Sequence, residues 1–463
     1  DGTSHISRVL STAVMARMGL ALRSMRPWQG WSYLWQVPAC SSVRFGSHRW
    51  ASTLGQPAAQ PGQSAGSPVP PGMPDDLRQI MEDYERRRAE EEASQSPLWR
   101  IANSTAGAVA GAAVAGGIVW LFYSLDDVSS PMGGLWASLF RRVGEESAKD
   151  LLVTAARWRL LPRDLDKDDP YLVIEPFEGL TFYTPVGLGP GLDRKGEGVG
   201  ALFDLGFGFI EVGPVGPQGT DPMTVLENLS RRDASRQIAQ LGLVGASVSG
   251  SSEELLATLA SLGPKLQLFC VDLAGCPELR SSDAVAGVAK ELVLAALQLP
   301  GGGPRIFFRL PASWPDASAS HEARRRAVGD VATALRRSEA AGLVICHDAE
   351  DCQGTEASRR LHRELISEAF EQTKGDIVII ASGGLRNARD ALDAVEAGAT
   401  VVQISSLVLQ EGPATCRQMK DGMAQLLMQE GHVNLQSVVG AALLRRTGKS
   451  KQKKRNPWKP KGP

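Results

Sequence analysis

From residue 171 onward the sequence alternates short apolar runs with helical stretches, and few folds accommodate that alternation. The runs cover residues 184–189, 207–213, 241–249, 266–272, 305–311, 342–347, 376–382 and 400–405. Helical periodicity falls between most of them, over 253–262, 283–297, 321–341, 356–373, 388–397 and 414–430. Parallel strands need a crossover between them, and strands buried on both faces read as unbroken apolar runs. Eight such strands predict an α/β fold, a (β/α)8 TIM barrel. Residues 213–240 and 274–282 fit this count least well.

The first unit of the alternation is residues 184–215, TPVGLGPGLDRKGEGVGALFDLGFGFIEVGPV. Glycines 187, 189 and 191 follow the first apolar run, where a backbone needs freedom and close approach to a ligand. Asp193, Arg194 and Lys195 put charge at the same strand end. Barrel ligands gather at the C-terminal ends of strands.

This unit resembles the first barrel strands of the membrane-bound class of dihydroorotate dehydrogenases. That class reads roughly NPVGIAAGFDKxGE and GFGFxExGSVTP, where this chain reads TPVGLGPGLDRKGE and GFGFIEVGPVGP. The similarity runs over about residues 133–444. It implies a barrel that binds FMN, oxidises dihydroorotate and passes electrons to ubiquinone.

A flavin phosphate is held by glycines and backbone N–H groups at a helix N-terminus. IIASGGL (379–385) opens the 388–397 helix, and VVQISS (401–406) closes the next strand. Both resemble the family's GxGGx and QxYTA pair. Gly383 and Gly384 match, while Ser405 and Ser406 keep hydroxyls in place of Tyr and Thr. Gly191 and Gly213 keep family glycines. The other flavin positions depart. The Lys after GFD becomes Arg194, with Lys195 next to it, and the Lys of the strand-five V-K-I-A-P run falls on Arg309. Arg does not substitute neutrally for a compact Lys ammonium. Pro190 and Pro214 alter two further ligand-facing positions, and Cys346, His347 and Asp348 stand where the family has T-N-T. The resemblance therefore implies that any FMN would be held by Gly191, Arg194, Lys195, Gly213, Arg309, Gly383, Gly384, Ser405 and Ser406.

The substrate positions depart further. The family's catalytic Ser lies in NVSSPNTxG; the matching stretch is CVDLAGCPEL (270–279), without that Ser or the asparagines. Asp272 and Cys276 are the candidate replacement bases. The asparagines of INRxGFN fall on Ala239 and Val244. GVNLGKN has become GASVSGS, with the preceding helix expected to be deleted. The Arg-containing GNPxPR aligns with TDPMTV (220–225), which has no Arg. A carboxylate with several amide groups is not held without such donors. No catalytic residue is therefore assigned.

The N-terminal third adds appendages. Residues 1–50 carry six arginines and one acid, Asp1, the composition of a mitochondrial transit peptide, with Met15 or Met18 the expected start. Residues 51–74 form a Pro/Gly/Ala-rich linker and residues 75–98 a charged helix. Within 99–127, the run TAGAVAGAAVAGGIVWLFYSL (105–125) has no charge and is long enough to cross a bilayer. A buried soluble helix is the alternative. Residues 128–165 predict two amphipathic helices, over 133–143 and 145–160, with Ala148, Leu151, Leu152, Ala155 and Ala156 on the second one's apolar stripe. In the resembling class such helices lie on the membrane and frame a ubiquinone tunnel. The barrel is expected over 166–444.

Net charge is −1, which excludes an overall bias toward nucleic acid, yet residues 445–463 hold nine basic residues and no acid. Such a tail contacts anionic lipid, acidic protein or nucleic acid. Six cysteines lack any CxxC pair and read as reduced thiols. No residue pattern calls for a metal. The expectation is a single-pass mitochondrial inner-membrane protein with a dihydroorotate-dehydrogenase-like barrel, catalytically degenerate and docked to other subunits of a membrane complex. The alternatives are an active FMN- and ubiquinone-dependent dehydrogenase, or a flavoprotein with a new substrate acted on by His347, Asp348 or Cys276.

Overall fold

The computed structural model describes residues 79, 82–87, 127–130, 133–177, 179–235, 242–311, 314–316, 318–347 and 355–446. The chain divides into two units, Asp1–Trp99 and Arg100–Pro463. In the first, the described residues 82–87 are helical and exposed. The transit, linker, membrane-span and most basic-tail expectations lie outside the described residues, as do Ala239 and Asp348. Among the described residues no helix is long and apolar enough to cross a membrane.

Among its described residues the second unit holds ten strands. β1 (Ile174–Phe177) and β2 (Leu180–Phe182) form an antiparallel hairpin. The other eight close a parallel barrel: β3 (Val186–Leu188), β4 (Phe209–Val215), β5 (Leu243–Val248), β6 (Leu268–Asp272), β7 (Arg305–Leu310), β8 (Gly342–Cys346), β9 (Val378–Ser382) and β10 (Val401–Ile404). Each pairs with its sequence neighbour, and β10 closes on β3 with Gln403 opposite Gly187. All eight expected strands are present.

Side chains alternate across a strand, so residues two apart share the bore. The bore's lower layers are apolar: Phe209, Leu268, Cys270, Phe307, Val344, Val378, Ile380 and Val401. The β1–β2 hairpin closes the N-terminal end, its Phe182 ring meeting Phe209 edge-on with centroids 5.3 Å apart. Large and small residues complement each other here. A Cβ on Gly187 would come within 2.2 Å of the Phe209 ring, and one on Gly342 within 2.4 Å of Phe307. A second, larger core lies between the strands and the surrounding helices.

Two helices precede the barrel, α1 (Gly133–Val143) and α2 (Glu145–Arg157), broken at Gly144 with φ +81°. Ala148, Leu152, Ala155 and Ala156 are buried, as their spacing predicts. The second helix stops three residues before its expected end, because Arg159 takes φ +52° and its N–H bonds the Ala156 carbonyl.

The crossovers follow as α3 (Val199–Phe203), α4 (Pro222–Ser235), α5 (Ser252–Leu262), α6 (Ser282–Leu297), α7 (His321–Arg337), α8 (Glu356–Thr373), α9 (Ala388–Ala397), α10 (Ser406–Glu411), α11 (Thr415–Gln429) and α12 (Ala441–Arg446). Local chemistry starts several of them. Ser251 and Glu254 form a reciprocal capping box on α5, while Thr355 and Asn387 cap α8 and α9. α7 ends at Arg337, short of residue 341. α4 occupies the 213–240 stretch that fitted the alternation least well. Its Val225 and Leu229, one turn apart, are fully buried and hold it against the barrel.

Candidate functional site at the barrel mouth

One step above the apolar layers, the same alternation turns polar. Glu211, Asp272, Arg309, Cys346, Ser382 and Gln403 continue the bore-facing positions of β4, β6, β7, β8, β9 and β10 at their C-terminal ends. Arg309 is the hub. Its Nη2 donates to Glu211 Oε2 at 2.5 Å and to Gln403 Oε1 at 2.9 Å. Its Nη1 donates to Cys346 Sγ at 3.1 Å and Ser382 Oγ at 3.3 Å. Gln403 Nε2 donates to Glu211 Oε2 at 2.7 Å and to the Leu188 carbonyl at 3.3 Å. Side-chain exposures of 8% and 5% make Arg309–Glu211 a buried ion pair. Burial disfavours the guanidinium's charge, but the facing Glu211 carboxylate more than offsets it and drives the Arg309 pKa up. Two atoms, Glu211 Oε1 and Arg309 Nε, have no hydrogen-bond partner among the described residues.

The candidate bases sit beside this hub. Asp272 caps a short turn, accepting from the Ala274 N–H at 3.1 Å. Burial pushes its carboxyl pKa up, while Arg309 pulls it down. Cys276 is fully buried, and burial raises its thiol pKa; a neutral thiol is a weak proton acceptor. At the β8 end, His347 is buried and its Nε2 lies 2.7 Å from Ser358 Oγ. His362 packs edge-on against it and bonds the Ile345 carbonyl at 2.8 Å. Burial lowers His362 to about 4, so it is neutral near pH 7.

The sequence-assigned residues divide into three groups. Arg309 reaches the centre of the mouth. Gly383, Gly384, Ser405 and Ser406 come together at its rim, on the loops after β9 and β10. Gly383 and Gly384 have φ of +78° and +69°, which glycine adopts without strain. His347 packs onto this loop: a Cβ on Gly384 would lie 2.5 Å from the imidazole. Ser405 Oγ packs against Gly189.

Gly213 is needed by the backbone itself, since a Cβ there would lie 2.7 Å from the Ser247 carbonyl. Gly191 has φ +94° and open space beside it. Arg194 and Lys195 are both exposed, and Arg194 pairs with Glu146 of α2 at 2.9 Å. The reason is Asp193. Its buried carboxylate accepts from the N–H groups of Glu197 and Gly198, turning the loop inward at residue 193 and its neighbours outward. Val244 is buried and apolar, and exposed Pro214 brings no N–H to the mouth.

FMN fits this arrangement at one end only. The paired glycines and serines at the rim would take a phosphate. The bore end does not offer a ring site, because the Arg309 Nη groups and the Gln403 amide are spent on one another, on Glu211 and on neighbouring strand ends. The residues missed in the sequence are therefore Glu211, Ser382 and Gln403. Each lies two positions beyond an apolar bore residue on its strand, and that step was the signal available.

The closed eight-stranded parallel barrel and its surrounding helices define a (β/α)8 protein. A family profile for dihydroorotate dehydrogenase matches residues 354–427. The quinone-type dihydroorotate dehydrogenase of Rhodospirillum rubrum is 28% identical over 335 residues, covering 64% of this chain and 90% of that protein. That of Rhodopseudomonas palustris (strain BisB5) is 26% identical over 347 residues, covering 65% and 94%. The mouse mitochondrial quinone-type enzyme is 25% identical over 361 residues, covering 66% and 89%. Among solved structures, Eimeria tenella DHODH in complex with ferulenol superposes with a TM-score of 0.56 at 21% identity, covering 65% and 96%. The chain is thus similar to quinone-type dihydroorotate dehydrogenases, including a mitochondrial one, at modest identity.

Proposed function

We propose that this chain is a dihydroorotate-dehydrogenase-type barrel of the mitochondrial inner membrane that has lost dihydroorotate oxidation and serves as an accessory subunit of a membrane complex. The observation that carries this reading is the Arg309 hub. Glu211, Gln403, Ser382 and Cys346 consume the guanidinium's Nη donors inside the bore. Oxidation of dihydroorotate requires a base beside the substrate and donors that bind its amide edges and carboxylate. Here the β6 end offers a buried thiol at Cys276 and an Asp272 carboxylate committed to a turn, and Val244 is apolar. The mitochondrial name of the mouse relative, the Arg-rich residues 1–50 and the uncharged run 105–125 support the location. The charged 75–98 segment and the basic tail support docking to other subunits.

A second reading, an active FMN enzyme passing electrons to ubiquinone, is favoured by the rim glycines Gly383 and Gly384 and by the quinone-type names of the relatives. Purified full-length protein separates the two. The first reading expects no flavin absorbance, no dihydroorotate-dependent quinone reduction, and co-migration with other proteins in detergent extracts. Flavin bands that bleach on anaerobic addition of dihydroorotate would overturn it.

A further inference from the structure

Away from the mouth, α2, the start of α3 and α4 enclose a depression of about 330 Å³ lined by Arg157, Arg159, Arg231, Asn228 and Glu197. Its lining holds three arginines and one acidic residue. Arg157 is 3.8 Å from Glu197 and Arg231 is 2.6 Å from Glu227, which lies on α4 outside the lining. Arg159 makes no ion pair among the described residues. It also occupies the position after the α2 cap where the left-handed φ of +52° favours glycine. A guanidinium is therefore held at this rim against the local backbone preference. Trp158, between Arg157 and Arg159, is 58% exposed, and Leu135 of α1 is equally exposed.

We propose that this depression binds the phosphate of an anionic membrane phospholipid, with Trp158 at the bilayer interface. Arginine forks match phosphate oxygens. Exposed Trp beside clustered basic residues is the surface chemistry of a headgroup layer. The sequence commits the source to a lipid rather than a free metabolite, because the uncharged run 105–125 ends shortly before α1 begins. The site rests on the membrane location in the proposed function but not on the loss of dihydroorotate oxidation.

The test is thermal unfolding of the full chain in a nonionic detergent with short-chain phosphatidylglycerol, short-chain phosphatidylcholine or inorganic phosphate. Phosphatidylglycerol is expected to raise Tm by roughly 5 °C at saturation, as for any ligand that binds only the folded state. Phosphatidylcholine and inorganic phosphate should leave it unchanged. Arg157→Gln with Arg231→Gln should abolish the shift. Arg159→Gly should reduce it while leaving the lipid-free Tm at or above that of the parent, which separates lost binding from lost folding. A Lys453→Gln/Lys454→Gln/Arg455→Gln tail variant should keep the full shift. Equal shifts with phosphatidylcholine or inorganic phosphate, or a shift lost with the tail and kept without the three arginines, would overturn the proposal.

Discussion

Removing Arg309 tests whether the mouth of the barrel is closed by its own charges. Arg309→Met leaves the Glu211 carboxylate 5% exposed, with Gln403 Nε2 its remaining partner among the described residues. Its Oε1 is already unpartnered. Breaking a buried ion pair from one side costs about 3–5 kcal/mol, since an uncompensated charge stays in the interior. For a barrel of this size that lowers Tm by on the order of 10 °C. The triple variant Glu211→Leu/Arg309→Met/Gln403→Leu removes the hub together and should recover most of the loss. The assay is reversible urea unfolding followed by circular dichroism. A single-variant loss below about 1 kcal/mol would mean that water reaches the bore and the hub does not close it.

Three further outcomes follow from other parts of the barrel. His362 is held at about 4 against its usual 6.5, so the unfolded state binds its proton first. Its stabilising contribution, up to about 3 kcal/mol, should be complete above pH 6.5 and lost as pH falls toward 4, and His362→Gln should flatten that acid limb in pH-dependent melts. Lys420 is buried and bonds Asp164 at 2.6 Å and also Asp168, tying the segment before the barrel to α11. Lys420→Met should cost about 3 kcal/mol and open residues near 164–168 to limited proteolysis. Gly187→Ala should cost about 1–3 kcal/mol by pressing on the Phe209 ring, and Phe209→Leu should relieve part of it in a double-variant cycle.

Much of the fold was legible because its determinants are local or periodic. Each barrel strand is an apolar run, and Ser251, Thr355 and Asn387 are caps that sequence alone displays. α4 was missed because PMTVLENLSRRDAS has only a thin apolar stripe, and Val225 and Leu229 acquire meaning only against the barrel wall. The site was less legible. A motif frame locates Arg194 at a strand end but not the direction of its side chain, which the buried Asp193 sets. Arg309 stood out as a substitution, yet its partners lie on β4, β8, β9 and β10. Their shared height in the bore depends on register across the sheet, which no single strand's sequence contains.

That division also accounts for the pattern of divergence. The lower bore is a packing problem, in which Gly187 must leave room for Phe209 and Gly342 for Phe307. A change there alters volume in a close-packed core and lowers stability directly. The upper bore is an electrostatic problem with more than one solution. Arg309 reaches Glu211 across the barrel, so its charge is neutralised within the wall. Pairing within the wall offsets much of the cost of burying the two charges, while Glu211 Oε1 and Arg309 Nε stay without a partner among the described residues. The fold therefore draws on two separable terms, packing volume low in the bore and paired charge above it.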